Sequence, residues 1–228
     1  MSTVLVTGAN RGIGLEFVRQ YASNGARVIA CAREPGRAKE LNKLAANSDV
    51  QLHALDTSDF KACAALRKQL ASEVIDIIIN NAGYYGPKKQ SADDMDFEGW
   101  AYTFAVNTMG PLALAQALHA NLKRGREKKI VSISSGMAST EENGGGSLAY
   151  RASKAALNNV MKSLSVDLRH DGIIAVVLDP GWVKTDMGGT NAPTPPEQSV
   201  SGMRKVIAGL TLADSGKFLR WNGGERAW

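Results

Sequence analysis

The chain has 228 residues, 44% of them apolar and 21% charged, with a formal net charge of +5. This globular composition and length suit one α/β domain with a sizeable core and no separate substrate domain. No apolar run approaches the ~20 residues that a membrane span needs, so a spanning helix is excluded.

The opening residues Met1-Ser2-Thr3-Val4-Leu5-Val6 pass straight into a strand without a basic leader, so no signal peptide is expected. The first strand is predicted at 4–7, followed by a glycine-rich turn and a helix with apolar positions Leu15, Val18 and Tyr21. A second strand at 27–31, a polar helix at about 36–46, a third strand at 51–55 and a helix at 60–70 follow. Cys31 and Cys63 have neither metal-ligand nor disulfide-framework spacing, so no metal and a reducing cytoplasm are the expectations. The aliphatic run 75–79 suits a strand buried on both faces of a parallel sheet. A long helix is predicted at 97–122, bent at Gly110-Pro111.

The basic cluster Lys123-Arg124-Gly125-Arg126-Glu127-Lys128-Lys129 reads as a solvated loop rather than a nucleic-acid patch, and no nucleic-acid partner is expected. An anionic ligand is the milder account of the basic bias. A fifth strand at 129–133, a second long helix at 150–170 and a sixth strand at 173–178 complete the series. The Pro- and Gly-rich segment 188–196 reads as a mobile excursion, a lid. Repeated βα units with right-handed crossovers predict a Rossmann-type doubly wound parallel sheet flanked by helices, one domain over 1–228.

Two constellations carry chemistry. Thr7-Gly8-Ala9-Asn10-Arg11-Gly12-Ile13-Gly14 joins a strand to a helix, where glycines let the backbone approach a pyrophosphate at the helix N-terminus. Its Gly-x3-Gly-x-Gly spacing differs from the common Gly-x-Gly-x-x-Gly form, and a ligand-free flexible turn is the alternative. Tyr150 and Lys154 stand at i and i+4 among good helix formers, so they share one helical face. A phenol with a pKa of about 10 is nearly inert at neutral pH. A fixed cation beside it favours the phenolate and fits it to exchange a proton with a carbonyl or alcohol oxygen. A solvated helix face is the alternative for this pair.

Together with Asn80-Asn81-Ala82-Gly83, Asn107, Ser134-Ser135 and Pro180-Gly181, these motifs occur in one order along nearly the whole chain. The ensemble resembles the compact, single-domain form of the short-chain dehydrogenase/reductase (SDR) family. Residues 150–158, 180–189 and 224–228 are most similar to sniffer-type carbonyl reductases and C-factor-like proteins. The resemblance implies that Tyr150 is the acid/base, and that Lys154 lowers its pKa and bonds the nicotinamide ribose. It implies that Asn107 holds, through its carbonyl, a water that relays protons to the lysine. Without the resemblance, Asn107 reads as a satisfied structural asparagine.

The family serine commonly stands where Met137 is found here, two residues closer to the tyrosine than Ser135. A two-residue insertion in the loop 143–147 would keep Ser135 in that role, with Ser134 and then Ser139 as alternatives. By position, Gly8, Asn10, Arg11, Gly12, Ile13 and Gly14 would cradle the cofactor phosphates. Asp56 and Thr57 would meet the adenine, and Asn81, Ala82 and Gly83 the adenosine ribose. Pro180, Gly181, Val183 and Thr185 would hold the nicotinamide. Asn80 need only tie adjacent strands.

An NAD-preferring site places an acidic residue near the end of the second strand. Here Ala32 occupies that position with Arg33 next to it, and Arg11 lies in the glycine turn. Two guanidinium groups without a nearby carboxylate suit a 2′-phosphate, so NADP(H) is expected, with NAD(H) as the alternative. The implied activity is hydride transfer between nicotinamide C4 and an aldehyde or ketone, on a small-molecule carbonyl or alcohol substrate. A sensor or signalling protein that binds NADP(H) on the same fold without turnover is the other reading. Tyr84, Tyr85, Trp100, Trp182 and Met187 hint at an apolar or aromatic substrate. Relatives often pair through the long helices, so a homodimer or tetramer is expected. Leu157, Val160, Leu164 and Leu168 would suit a core face or that seam.

Overall fold

The computed structural model describes residues 1–228. Seven strands, β1 (Thr3–Thr7), β2 (Arg27–Ala32), β3 (Val50–Ala54), β4 (Ile77–Asn80), β5 (Lys129–Ile133), β6 (Ile174–Asp179) and β7 (Phe218–Arg220), form one sheet. All pairs are parallel and the order is β3-β2-β1-β4-β5-β6-β7. The helices are α1 (Gly12–Ser23), α2 (Lys39–Asn47), α3 (Phe60–Gln69), α4 (Phe97–Phe104), α5 (Gly110–Lys123), α6 (Leu148–Asp167) and α7 (Pro196–Gly209).

Alternation along each strand divides the core in two. Val4, Val6, Ile77, Ile79, Val131 and Ile133 face Phe17 and Val18 of α1, Leu41 of α2 and Val200, Met203 and Ile207 of α7. Leu5, Ile29, Ile78, Ile130 and Val177 face Leu66 of α3, Leu114 and Leu118 of α5 and Leu157 and Met161 of α6. Each fully buried Leu, Ile or Phe contributes roughly 1.5–3 kcal/mol relative to exposure, which holds both helical layers on the sheet. Strand order reverses between β1 and β4. The crevice at their carboxyl ends is where a doubly wound sheet binds ligands.

Four features differ from the sequence reading. The long helix yields one turn before Gly110-Pro111: residues Ala105–Met109 form a π-helical turn between α4 and α5. A Cβ on Gly110 would lie 2.5 Å from the Thr57 carbonyl, so this glycine sets how closely α5 approaches the loop after β3. Helix α7 and strand β7 were not anticipated from the sequence. The segment predicted as a loose lid is folded back, because Lys184 donates to the Thr194 carbonyl at 2.8 Å and Thr194 to that of Trp182 at 3.3 Å.

Leu157 and Leu164 are buried in the core, with Val160 and Leu168 packed against it, so these α6 positions contribute to the core face. The basic cluster is used within the fold: Lys123 pairs with Asp171, Lys129 with Glu127, and Arg124 donates to the Ala71 and Glu73 carbonyls. No helix is long and apolar enough to cross a membrane.

Candidate active site

The glycine turn is built against the end of β4. Gly8 and Gly12 have φ of +64° and +54°, a left-handed backbone that glycine adopts at little cost. A Cβ on Gly14 would fall 2.2 Å from the Gly8 carbonyl oxygen, so the turn closes only with glycine there. Asn81 Nδ2 donates to the Thr7 carbonyl at 2.9 Å, and Thr7 Oγ1 accepts from the Asn81 and Ala82 N–H groups at 3.0 Å each. Asn80 Nδ2 donates to Ser132 Oγ at 3.1 Å, tying β4 to β5.

Asn10 is exposed on the turn, whereas Ile13 packs on the core. Arg11, at the N-cap of α1, pairs with Asp186 from the loop after β6, and Gly12 lies against Thr185 of that loop. Ala32 is buried and Arg33 exposed, and no carboxylate pairs with Arg33. Asp56 accepts from the N–H and hydroxyl of Ser58 through one oxygen. Thr57 is buried under Gly110. Gly83 is exposed, and a Cβ there would lie 3.5 Å from Asn107 Oδ1 and 3.6 Å from Lys154 Nζ, so these three residues adjoin. Gly181 has φ of +78° and donates to Asp179 Oδ1 at 3.0 Å, Pro180 and Val183 are buried, and Thr185 is half-buried.

Tyr150 and Lys154 stand on the first turns of α6, at 7% and 4% exposure, with Lys154 Nζ 5.9 Å from the Tyr150 ring centre. Lys154 Nζ donates to the Ile133 carbonyl at 2.7 Å. Burial draws its pKa down to about 8. The expectation that Lys154 depresses the Tyr150 pKa is corrected: the phenol is pushed up to about 12, chiefly by burial, with Tyr85 and Asp179 adding to the rise. Ser135, not the lysine, is the group that pulls it down. Tyr150 is therefore held protonated, in the state that can donate.

The three serines separate clearly. Ser134 is 3% exposed and donates to Asn158 Oδ1 at 2.6 Å. Ser139 is also buried and donates to the Trp228 carbonyl. Ser135 is half-buried, and its oxygen accepts from the Met137 N–H at 3.1 Å, which leaves its own proton for Tyr150 or a ligand. Three consecutive left-handed residues, Gly145, Gly146 and Ser147, turn the chain into α6. Arg151 clamps that turn by donating to the Gly145 and Gly146 carbonyls at 2.8 and 3.1 Å.

Asn107 is fully buried in the π-helical turn. Its Oδ1 accepts from the Tyr84 N–H at 2.8 Å, and its Nδ2 donates to the Tyr84 carbonyl at 2.8 Å and to Ser153 Oγ at 2.9 Å. The side chain thus fixes the loop after β4 to α6.

Gln90 escaped the sequence reading, and Tyr85, expected only as a hint to the substrate, lies directly against Tyr150. Gln90 Oε1 accepts the Tyr150 N–H at 3.2 Å while its Nε2 donates to the Tyr85 carbonyl at 3.1 Å. Tyr85 lies on the Tyr150 ring, centres 4.8 Å apart, with its hydroxyl 2.8 Å from Ser147 Oγ. Tyr84 meets Tyr102 edge to face, Trp100 lies between Phe97 and Phe104, and Trp182 and Met187 are exposed on the loop after β6. No pattern in the chain marks Gln90, because nothing in its local sequence shows that a loop glutamine will reach α6.

Residues 2–195 match the sequence pattern of short-chain dehydrogenases. The carbonyl reductase Sniffer of Drosophila melanogaster superposes with a TM-score of 0.94 at 34% identity, covering 100% of both chains. An NADPH-bound carbonyl reductase from chicken fatty liver superposes at 0.92 with 37% identity, covering 100% of this chain and 99% of that one. The C-signal protein of Myxococcus xanthus is 43% identical over 155 residues, 68% of this chain and 93% of that protein.

Proposed function

Because the chain belongs to the short-chain dehydrogenase family, an NAD(P)-dependent oxidoreductase family, we propose that it reduces an aldehyde or ketone with NADPH, Tyr150 giving the proton to the carbonyl oxygen. The observation that carries this reading is the buried Tyr150 phenol, held protonated with the Ser135 hydroxyl acting on it and Lys154 alongside.

The residues present fit the cofactor. Gly8, Gly12 and Gly14 let the turn close tightly against Ala82, Thr185 and its own backbone, and the turn opens at the N-terminus of α1, where the backbone favours anions. Arg33 at the rim, with the buried Ala32 in place of an acid, suits a 2′-phosphate. The NADP-bound state of relatives with carbonyl reductase activity supports the same preference. Bound NADPH supplies the hydride.

The chain's own groups handle the oxygen and the proton. Ser135 donates to the carbonyl oxygen and disperses the charge that develops there. Tyr150 transfers its proton to that oxygen, and Lys154 passes a proton back toward the phenolate left behind. Asn107 keeps the Tyr84 loop and α6 in register, and a water on the main chain at this position would resupply the proton. Tyr85 forms an apolar wall against Tyr150 that suits a flat carbonyl compound. The two free thiols, Cys31 and Cys63, support a reducing compartment such as the cytoplasm. Assembly into a dimer or tetramer belongs to the same proposal, and light scattering on the purified chain checks it.

The similarity to a protein named C-signal prompts one second reading, a signalling protein that binds the cofactor without turnover. Incubation with NADPH and a panel of aldehydes, ketones and quinones separates the two. The reductase reading expects one alcohol or hydroquinone formed per NADPH consumed. Stoichiometric binding of NADPH with no product across the panel would leave the sensor reading.

Cofactor choice has its own test. Arg33→Ala should raise the KM for NADPH by about 10- to 100-fold, as expected for a lost charge-assisted phosphate contact, and leave that for NADH nearly unchanged. Equal effects on both would remove the basis for the preference.

A further inference from the structure

The segment after β7 turns back on itself: Arg220 N–H donates to the Gly224 carbonyl at 2.7 Å and Arg226 N–H to that of Phe218 at 2.8 Å. This turn delivers the Arg226 side chain between two loops of the site. Its Nη1 donates to Asp179 Oδ2 at 2.8 Å and its Nη2 to Glu142 Oε2 at 2.5 Å. A Cβ on Gly136, the residue after Ser135, would lie 2.6 Å from Nη2, so the guanidinium is pressed on the Ser135 backbone turn. The same turn is pinned a few residues on, where Ser139 Oγ and the Thr140 and Glu141 N–H groups donate to the Trp228 carbonyl at 3.0–3.1 Å.

Asp179 ends β6 at 5% exposure, and its second oxygen takes the Gly181 N–H, so one carboxylate joins Arg226 to the loop expected to meet the nicotinamide. A carboxylate buried to that extent is costly unless paired, and Arg226 is its one ionic partner. We propose that Arg226 is a positioning residue for carbonyl reduction: its guanidinium staples the Ser135 loop to the end of β6 and neutralises the Asp179 carboxylate. The inference rests on the roles given above to Ser135 and Tyr150. Asp179 already disfavours charge on Tyr150, as does Tyr85, and an unneutralised Asp179 would do so more strongly.

The test uses Arg226→Ala, Arg226→Lys, Glu142→Gln and the double variant Arg226→Ala/Asp179→Asn, the last removing the buried charge should the single alanine variant fail to fold. The staple predicts faster amide hydrogen exchange confined to residues 135–142. It also predicts a kcat roughly tenfold lower with the KM for NADPH within about twofold, since a slight misplacement of Ser135 is enough to slow the chemistry. Arg226→Lys should restore most of kcat, and Glu142→Gln should loosen the same residues while Asp179 stays paired. Unchanged exchange in 135–142, unchanged kcat, or a loss that falls equally on exchange everywhere would overturn the proposal. Should the unaltered chain reduce no carbonyl at all, the proposed function fails, and the exchange measurement alone decides the staple.

Discussion

Tyr150→Phe is expected to lower carbonyl reduction by about 10³-fold or more while NADPH affinity stays within about twofold. The ring is buried and covered by the tilted ring of Tyr85, so phenylalanine fills the same space and only the hydroxyl is lost. That hydroxyl is the one acid beside Ser135, held protonated by burial, and nothing else at the site replaces it. Steady-state rates with calorimetric titration of NADPH check the outcome. Retained turnover would show that Tyr150 is not the donor. Weakened NADPH binding with proportionate loss of rate would assign Tyr150 to the cofactor alone.

Lys154→Met should lower turnover by about 10²-fold or more without lowering stability at pH 7. The shift of the Lys154 pKa from 10.5 to about 8 means that burial disfavours its cation by about 3 kcal/mol. Methionine removes that cost and gives up the bond to the Ile133 carbonyl, worth about 1.5–3 kcal/mol for a charged donor, so the two nearly offset. The sign follows from proton binding: between pH 8 and 10.5 the unfolded chain holds the Lys154 proton more firmly than the folded one. The lysine's penalty is therefore full below about pH 8 and fades as pH rises toward 10.5. Melting curves at pH 7 and pH 9.5 should show the methionine variant at its relative best at the lower pH. A variant much less stable than the parent at pH 7, or one with full activity, would contradict this account of the lysine.

Much of the fold was legible because the central strands are buried on both faces and read as aliphatic runs, as in Ile77–Asn80 and Ile174–Asp179. The glycine turn was legible for a related reason, since Gly8 and Gly14 occupy places where a Cβ would meet backbone. Helix α7 was hidden by Gly202 and by a polar first turn. A Cβ at Gly202 would lie 2.5 Å from the Trp221 ring, so a residue that reads as a helix breaker is a packing requirement. Strand β7 has three residues and bonds a single neighbour, too short for any period to show.

The bend was expected at Gly110-Pro111 because proline marks a bend by rule, whereas the helix is interrupted one turn earlier, where Asn107 reaches the Tyr84 backbone. In the candidate site, spacing pointed to Tyr150 and Lys154 and the family resemblance to Ser135, but neither showed what surrounds them. The effects of Tyr85, Gln90, Asp179 and Arg226 arise from loops that meet only after the sheet has formed. That is also why the direction of the Tyr150 shift was misread. The spacing shows a lysine nearby, and only the folded chain shows how completely both groups leave water.

Deuterium transfer from labelled cofactor decides whether Tyr150 serves carbonyl reduction. The unaltered chain and Tyr150→Phe are each given a ketone or aldehyde and NADPH carrying deuterium at nicotinamide C4. The account predicts an alcohol from the unaltered chain with one deuterium on the carbinol carbon for each NADPH consumed, and next to none from the phenylalanine variant. NADPH bound by the unaltered chain without labelled alcohol, or equal labelling by both proteins, would contradict it.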